Sequence, residues 1–175
     1  SDVPLRRMWG MLAPLPLVIP SYVGAYLVAS ALGPRGLLQQ LLEIPFGIQR
    51  LPSIYGFPGA LFTLATLSYP YLFLTVRGAL LRLDPAQEEA ARSLGDNTWQ
   101  TFWRVTWPLL RPACGVGGLL VALYTLRDFS AVALMRYDTF TRAIYIQYNS
   151  YDRPQAAVLA LILIGVALVF VVFEM

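Results

Sequence analysis

An all-α bundle of membrane-spanning helices is the fold class this sequence predicts, and three observations carry it. The 175 residues are 57% hydrophobic and 13% charged, whereas a soluble domain carries about 45–50% apolar and about 25% charged residues. Four stretches are apolar over lengths that can cross a bilayer, which takes roughly 20 residues at 1.5 Å rise each. Lipid offers no water to an open strand edge, so such spans are helices. Composition also narrows the function. A single cysteine excludes an internal disulfide framework, and the lack of histidine removes the commonest metal ligand and general base. The basic residues are all Arg, spread in ones and twos, which builds no nucleic-acid patch.

The first predicted span covers residues 8–32, uncharged from Met8 to Leu32, and contains Pro14, Pro16 and Pro20. Proline removes a helical hydrogen bond, so this helix is expected to kink. Gly33-Pro34 ends it. Residues 35–50 are too polar to span and read as a short amphipathic segment at one surface, closed by Pro45 and Gly47. The second span covers 51–81. The third, 112–134, is uncharged only from Pro112 to Leu126, too short to cross, and is expected to continue past Arg127-Asp128. Within it Gly115, Gly117 and Gly118 permit close helix contact. The fourth, 154–173, is uninterrupted. The chain opens without Met and stops just after this apolar run, which is expected to be part of a longer membrane protein.

Basic residues near the span ends set the orientation. Arg6 and Arg7 precede the first span, and five Arg lie between Arg77 and Arg111. Two spans separate these regions, so both are expected on the cytoplasmic side, with 35–50 and 127–153 outside.

The most informative stretch joins the second and third spans: LDPAQEEAARSLGDNTWQTFWRVTWPLLRP, Leu83 to Pro112. Asp84 is a good N-cap, Pro85 fits the first helical position, and Gln87 stands where a capping-box partner would. Glu88 is spaced to reach Arg92. Gly95 reads as the residue that lets the chain leave the helix sharply. Asn97 with Gln100 opens a second short helix, which Pro108 is expected to end. The spacing predicts a rigid knob of two short helices, residues 84–108, rather than a tether. Trp99, Phe102, Trp103 and Arg104 suit a buried interface on a partner; the tryptophans equally suit the aromatic belt of a membrane surface.

Glu89-Ala90-Ala91, then three residues and Gly95, then Val105-Thr106-Trp107-Pro108, resemble the EAA loop of binding-protein-dependent ABC transporter permeases. That pattern is EAA, three variable residues, Gly, about nine more, then Ile-x-Leu-Pro. Val105 stands in for the Ile, and Trp107 departs from the Leu. The resemblance implies a polytopic helix bundle of the ABC importer type, whose loop docks into a cytoplasmic ATP-binding subunit. It further implies an extracytoplasmic substrate-binding protein, a second permease half or subunit, and the bacterial inner membrane. ATP would be held by the partner, with no cofactor in this chain. Within the family, the stretch from Asp128-Phe129 through TFTRAIY is similar to the first half of ferric-iron permeases. Related segments occur in thiamine, sulfate, phosphonate and polyamine permeases.

Arg127 and Asp128 are expensive at membrane depth. They are expected at a break in the third span, bonded structurally or facing the substrate path. Ferric iron prefers oxygen ligands, yet nothing in the spacing of Tyr137, Tyr145, Tyr148 and Tyr151 selects a ligand set. No phosphate-binding loop and no nucleophile with a base is present, so catalysis is not expected here. An ATP-independent channel or carrier would need no such cytoplasmic knob.

Overall fold

The computed structural model describes residues 6–34, 36–47, 52–150 and 153–174, and among them there is helix and no strand. The chain runs α1 (Arg6–Leu12), a 3₁₀ turn (Leu15–Val18), α2 (Ser21–Leu32), α3 (Leu37–Phe46) and α4 (Phe57–Leu80). It continues through α5 (Pro85–Ser93), α6 (Thr98–Thr101), a π-helical turn (Phe102–Thr106) and α7 (Trp107–Arg127). Short helices α8 (Ser130–Leu134) and α9 (Phe140–Asn149) then lead to α10 (Arg153–Glu174). Among the described residues three helical stretches are long and apolar enough to cross a membrane: Phe57–Leu80, Thr98–Arg127 and Arg153–Phe173. A fourth crossing follows if the bent first segment counts as one span.

That first segment corrects the expectation of one kinked helix over 8–32. Met8–Val18 and Ser21–Glu43 meet at 102°. The three prolines account for it, since each deletes an N–H and crowds the preceding turn. Pro14 and Pro16 leave a 3₁₀ turn whose Leu17 and Ile19 N–H groups bond back to the two proline carbonyls. Pro20 then sets extended backbone just before α2. Within the expected amphipathic segment, residues 37–46 form a short helix that runs through Pro45, and Gly47 at φ +63° ends it.

The third span is also displaced. It does not run to residue 134: the helix ends at Arg127, and Asp128 is extended at φ −70°, ψ 123°. Its length comes from the other end, where the helix begins at Thr98.

Helices α4 and α7 lie antiparallel and form the frame. Tyr71 faces Tyr124 at 5.5 Å between ring centroids, and Gly117 sits against Leu72 and Thr75 so closely that a Cβ there would overlap both. Small residues let backbones approach where lipid removes the hydrophobic drive for association. Gly117 carries this contact; a Cβ on Gly118 would meet nothing within 4 Å.

A compact core of small residues joins α2, α4 and α8: Ala25, Ala60, Ala131, Val132 and Met135 are buried, with Val28, Leu64 and Tyr137 packed around them. The two ends of the bundle are separately tied. At one end Arg77 donates to the carbonyl of Gly10 at 2.9 Å, and the Tyr69 hydroxyl donates to that of Ala13 at 2.7 Å. At the other, the Gly56 N–H donates to the Met135 carbonyl at 2.6 Å. Residues near 10, 77 and the α5–α6 connection therefore share one end, and α3, α8 and α9 mark the opposite one.

Candidate functional site

Helix α5 starts where Asp84 Oδ1 accepts from the Ala86 N–H at 3.0 Å, with Pro85 in the first turn. Its other end is a Schellman turn. The Gly95 N–H donates to the Arg92 carbonyl at 3.0 Å and the Asp96 N–H to that of Ala91 at 3.2 Å. This pair of bonds needs a left-handed residue at the turn, and Gly95 supplies it at φ +96°.

Two residues later Asn97 opens the next helix. Its Oδ1 accepts from the Gln100 N–H and its own N–H donates to Gln100 Oε1, both at 2.9 Å. The reciprocal box falls here, at Asn97–Gln100; at Asp84 the second half, from Gln87, is not among the cap contacts.

This helix does not end at Pro108. It passes through the π turn and runs on as α7, so the expected pair of short helices is one short helix and the projecting start of a span. The reason is local. In the π turn the Trp107 N–H reaches back to the Phe102 carbonyl, five residues away. The widened turn opens the backbone just before Pro108, so the proline enters where the regular ladder is already interrupted.

Two polar ties fasten α5 and its elbow onto that turn. Thr106 donates from Oγ1 to Glu88 Oε1 at 2.8 Å, and Arg104 donates from Nη1 to Asp96 Oδ1 at 2.7 Å. Thr106 is 6% exposed, so the first tie is shielded; Arg104 is solvated, and exposed pairs of that kind contribute about 0–1 kcal/mol. Glu88 also approaches Arg92 at 3.9 Å. Sequence spacing points to Glu88–Arg92 and not to Thr106, because a contact across eighteen positions leaves no periodic trace.

The outward face combines the residues of the loop motif. Glu89, Ala90, Gly95 and Pro108 are exposed and Ala91 is half-buried. Glu89 makes no ion pair among the described residues. Trp99 is 68% exposed and packs edge-on against Trp103, with centroids 5.7 Å apart. Trp103 continues to Trp107 at 5.7 Å, and Phe102 bridges Trp99, Trp103 and Trp107. Leu94, which no sequence motif marks, is 90% exposed beside the elbow. The result is a stiff, capped projection with an apolar and aromatic rim and the carboxylate of Glu89.

At the opposite end, Asp128 is bonded within the fold. Its Oδ1 accepts from the Ala131 N–H at 2.8 Å and its carbonyl from Thr141 Oγ1 at 3.1 Å, so it starts α8 and holds α9. Arg127 is exposed in the last turn of α7, where a cation suits the helix dipole. Tyr137 packs on Phe57 at 5.5 Å and Tyr145 on Phe129 at 4.8 Å. Tyr151 lies outside the described residues.

Fold and projection together define a class: a polytopic helical membrane protein carrying a capped, cross-tied projection at one end. Residues 4–174 match the family of binding-protein-dependent transport system inner membrane components, and the chain belongs to that family. It is 33% identical over 161 residues to the Fe(3+)-transport system permease protein FbpB 2 of Haemophilus influenzae, covering 91% of this chain and 28% of the relative. It is 36% identical over 117 residues to the molybdenum transport system permease protein ModB of Escherichia coli, covering 67% of this chain and 50% of the relative. The sulfate transport system permease protein CysT of Escherichia coli is 29% identical over 171 residues, with 94% and 60% covered. The chain thus spans between about a quarter and three fifths of these relatives. The family is one of membrane components of transport systems, not of enzymes.

Proposed function

We propose that this chain is part of the membrane-spanning subunit of an ATP-driven importer in the bacterial inner membrane, receiving its cargo from an extracytoplasmic binding protein. The observation that carries the reading is the projection from Asp84 to Pro108: capped at both helices, cross-tied through Glu88 and Thr106, and rimmed by exposed Trp99 and Leu94. Such an element seats in a groove of a cytoplasmic ATP-binding subunit, with Glu89, Ala90, Ala91 and Gly95 at the contact and Trp103, Arg104 and Pro108 joining it to the span. ATP stays on that partner. The positive charges around Arg77 to Arg111 support an inward placement of this end.

Because α6, the π turn and α7 are continuous, a displacement of the projection moves α7 as a body, and α4 with it through Gly117. Opening and closing of the bundle then alternates access to the two sides. A second permease half completes the passage, and α10, whose faces are largely exposed, offers its surface to that half or to lipid.

Ferric iron is the proposed cargo, on the coverage and identity of the ferric relatives. The molybdenum and sulfate relatives make a small oxyanion the second reading. The test is ATP hydrolysis by the transporter reconstituted in liposomes, measured with binding proteins loaded in turn with ferric iron, molybdate and sulfate. Stimulation by the iron-loaded protein alone supports the proposal. Stimulation by an oxyanion-loaded protein alone replaces the cargo, and hydrolysis indifferent to all three removes ferric iron and both oxyanions as cargo.

A further inference from the structure

The end of the bundle opposite the projection holds a cleft of about 430 Å³, bounded by Tyr26, Ser30, Pro34, Tyr55, Leu134 and Arg136. Its one charged wall is built at a cost. Among the described residues Arg136 is the only non-glycine with positive φ, at +56°. It follows the last turn of α8, with its N–H on the Ala133 carbonyl at 3.1 Å and the Tyr137 N–H on that of Val132 at 2.9 Å. Those are the bonds of a Schellman turn, whose central position is ordinarily glycine because a Cβ is strained there. The backbone asks for glycine, and the chain supplies arginine.

The guanidinium explains the exchange. It lies 5.0 Å over the Tyr55 ring, which orients the planar group through its face and leaves the N–H donors at its edge unspent. No carboxylate among the described residues pairs with Arg136, and none of them lines the cleft. The other polar side chains among the lining residues are those of Tyr26, Ser30 and Tyr55, which come from two separate segments and carry hydroxyls that can donate. One oriented cation, three hydroxyls and no acid repel a bare metal cation and attract an acceptor-rich anion.

We propose that this cleft binds an oxyanion group, with Arg136 as its charged anchor and Tyr26, Ser30 and Tyr55 as supporting donors. Two sources share that chemistry: a dissolved tetrahedral oxyanion, and the phosphate of a lipid headgroup. The site is independent of which cargo the transporter carries, because binding is read directly. The intact transporter in a maltoside detergent is titrated calorimetrically with sulfate and, separately, with a short-chain phosphatidic acid. The wild type is expected to bind at least one of them, and Arg136→Gly to bind it at least tenfold more weakly. The same variant relieves the strained backbone, so its melting temperature should equal or exceed that of the wild type. Sulfate binding without lipid binding assigns the dissolved ion, and the reverse assigns the headgroup. If Arg136→Gly does not fold, Arg136→Gln and Ser30→Ala replace it, with the same tenfold criterion. Failure of the wild type to bind either probe, or undiminished binding by the folded variants, overturns the proposal.

Discussion

Glu88 of α5 accepts a hydrogen bond from Thr106 at 2.8 Å, and the two residues stand eighteen positions apart on either side of the Gly95 elbow. The acceptor belongs to the projecting helix and the donor to the π turn that feeds the span. With the Arg104–Asp96 pair, this bond ties the projection to the start of α7 across the Gly95 elbow.

Replacing Thr106 with Val deletes the donor at nearly constant volume. A charge-assisted bond contributes about 1.5–3 kcal/mol, and partial exposure of Glu88 lowers this to about 1 kcal/mol. The expected result is several-fold less uptake per ATP hydrolysed at unchanged membrane levels, with Thr106→Ser restoring the ratio. A ratio unchanged in Thr106→Val would show that the bond carries no coupling.

Gly95 sits at φ +96°, where any Cβ is strained by about 1–2 kcal/mol. Gly95→Ala should therefore partly undo the Schellman turn, and Gly95→Pro should remove the N–H that bonds Arg92. Both variants are expected in the membrane with ATP hydrolysis detached from uptake, the proline more severely. Normal uptake at normal expression by Gly95→Pro would refute the role given to the elbow.

Asn97 and Gln100 satisfy each other's backbone. Asn97→Ala loses the cap at a cost of about 1 kcal/mol, while Asn97→Asp retains it. Thermal melts of the purified protein should rank wild type and Asp together above Ala. Equal melting temperatures for all three would mean that the cap is not holding the helix start.

Asp128 works here as a capping acceptor, which Asn can replace and Ala cannot. The prediction is that Asp128→Asn transports normally, and that Asp128→Ala loses about 0.5–2 kcal/mol of stability. Loss of uptake in Asp128→Asn with an unchanged melt would place its charge in the substrate path instead.

Packing supplies a fifth case. Gly117→Leu collides with Leu72 and Thr75, whereas Gly118→Ala meets open space. Gly117→Leu should fail to assemble in membranes and Gly118→Ala should behave as wild type, as judged by monodispersity after extraction. Equal behaviour would relocate the α4–α7 contact.

Much of this architecture is legible in the amino-acid sequence, for identifiable reasons. Long uncharged runs report spans directly, and caps are short-range signals, so local rules place Asp84, Gly95 and Asn97–Gln100. The losses are equally physical. Pro108 reads as a terminator because proline deletes a bond of the helical ladder, but the π turn before it has already interrupted that ladder, and no residue pattern announces such a turn. The prolines at 14, 16 and 20 predict a disturbance without its angle of 102°; the bonds that hold the bent segment, from Tyr69 to Ala13 and from Arg77 to Gly10, span more than fifty positions and leave no local pattern. Glu88–Thr106 and the strained Arg136 are tertiary facts with no local precursor.

The most direct measurement is a nucleotide-dependent cross-link from the exposed surface of α5. With Cys114→Ala as background and Ala90→Cys as the probe, a short bifunctional reagent is applied to inside-out membrane vesicles. The account predicts capture of an ATP-hydrolysing subunit, with a yield that changes between nucleotide-free and ATP-bound conditions. Labelling of the Ala90→Cys thiol only from the outer face, or a cross-link that never contains the ATPase, would contradict it.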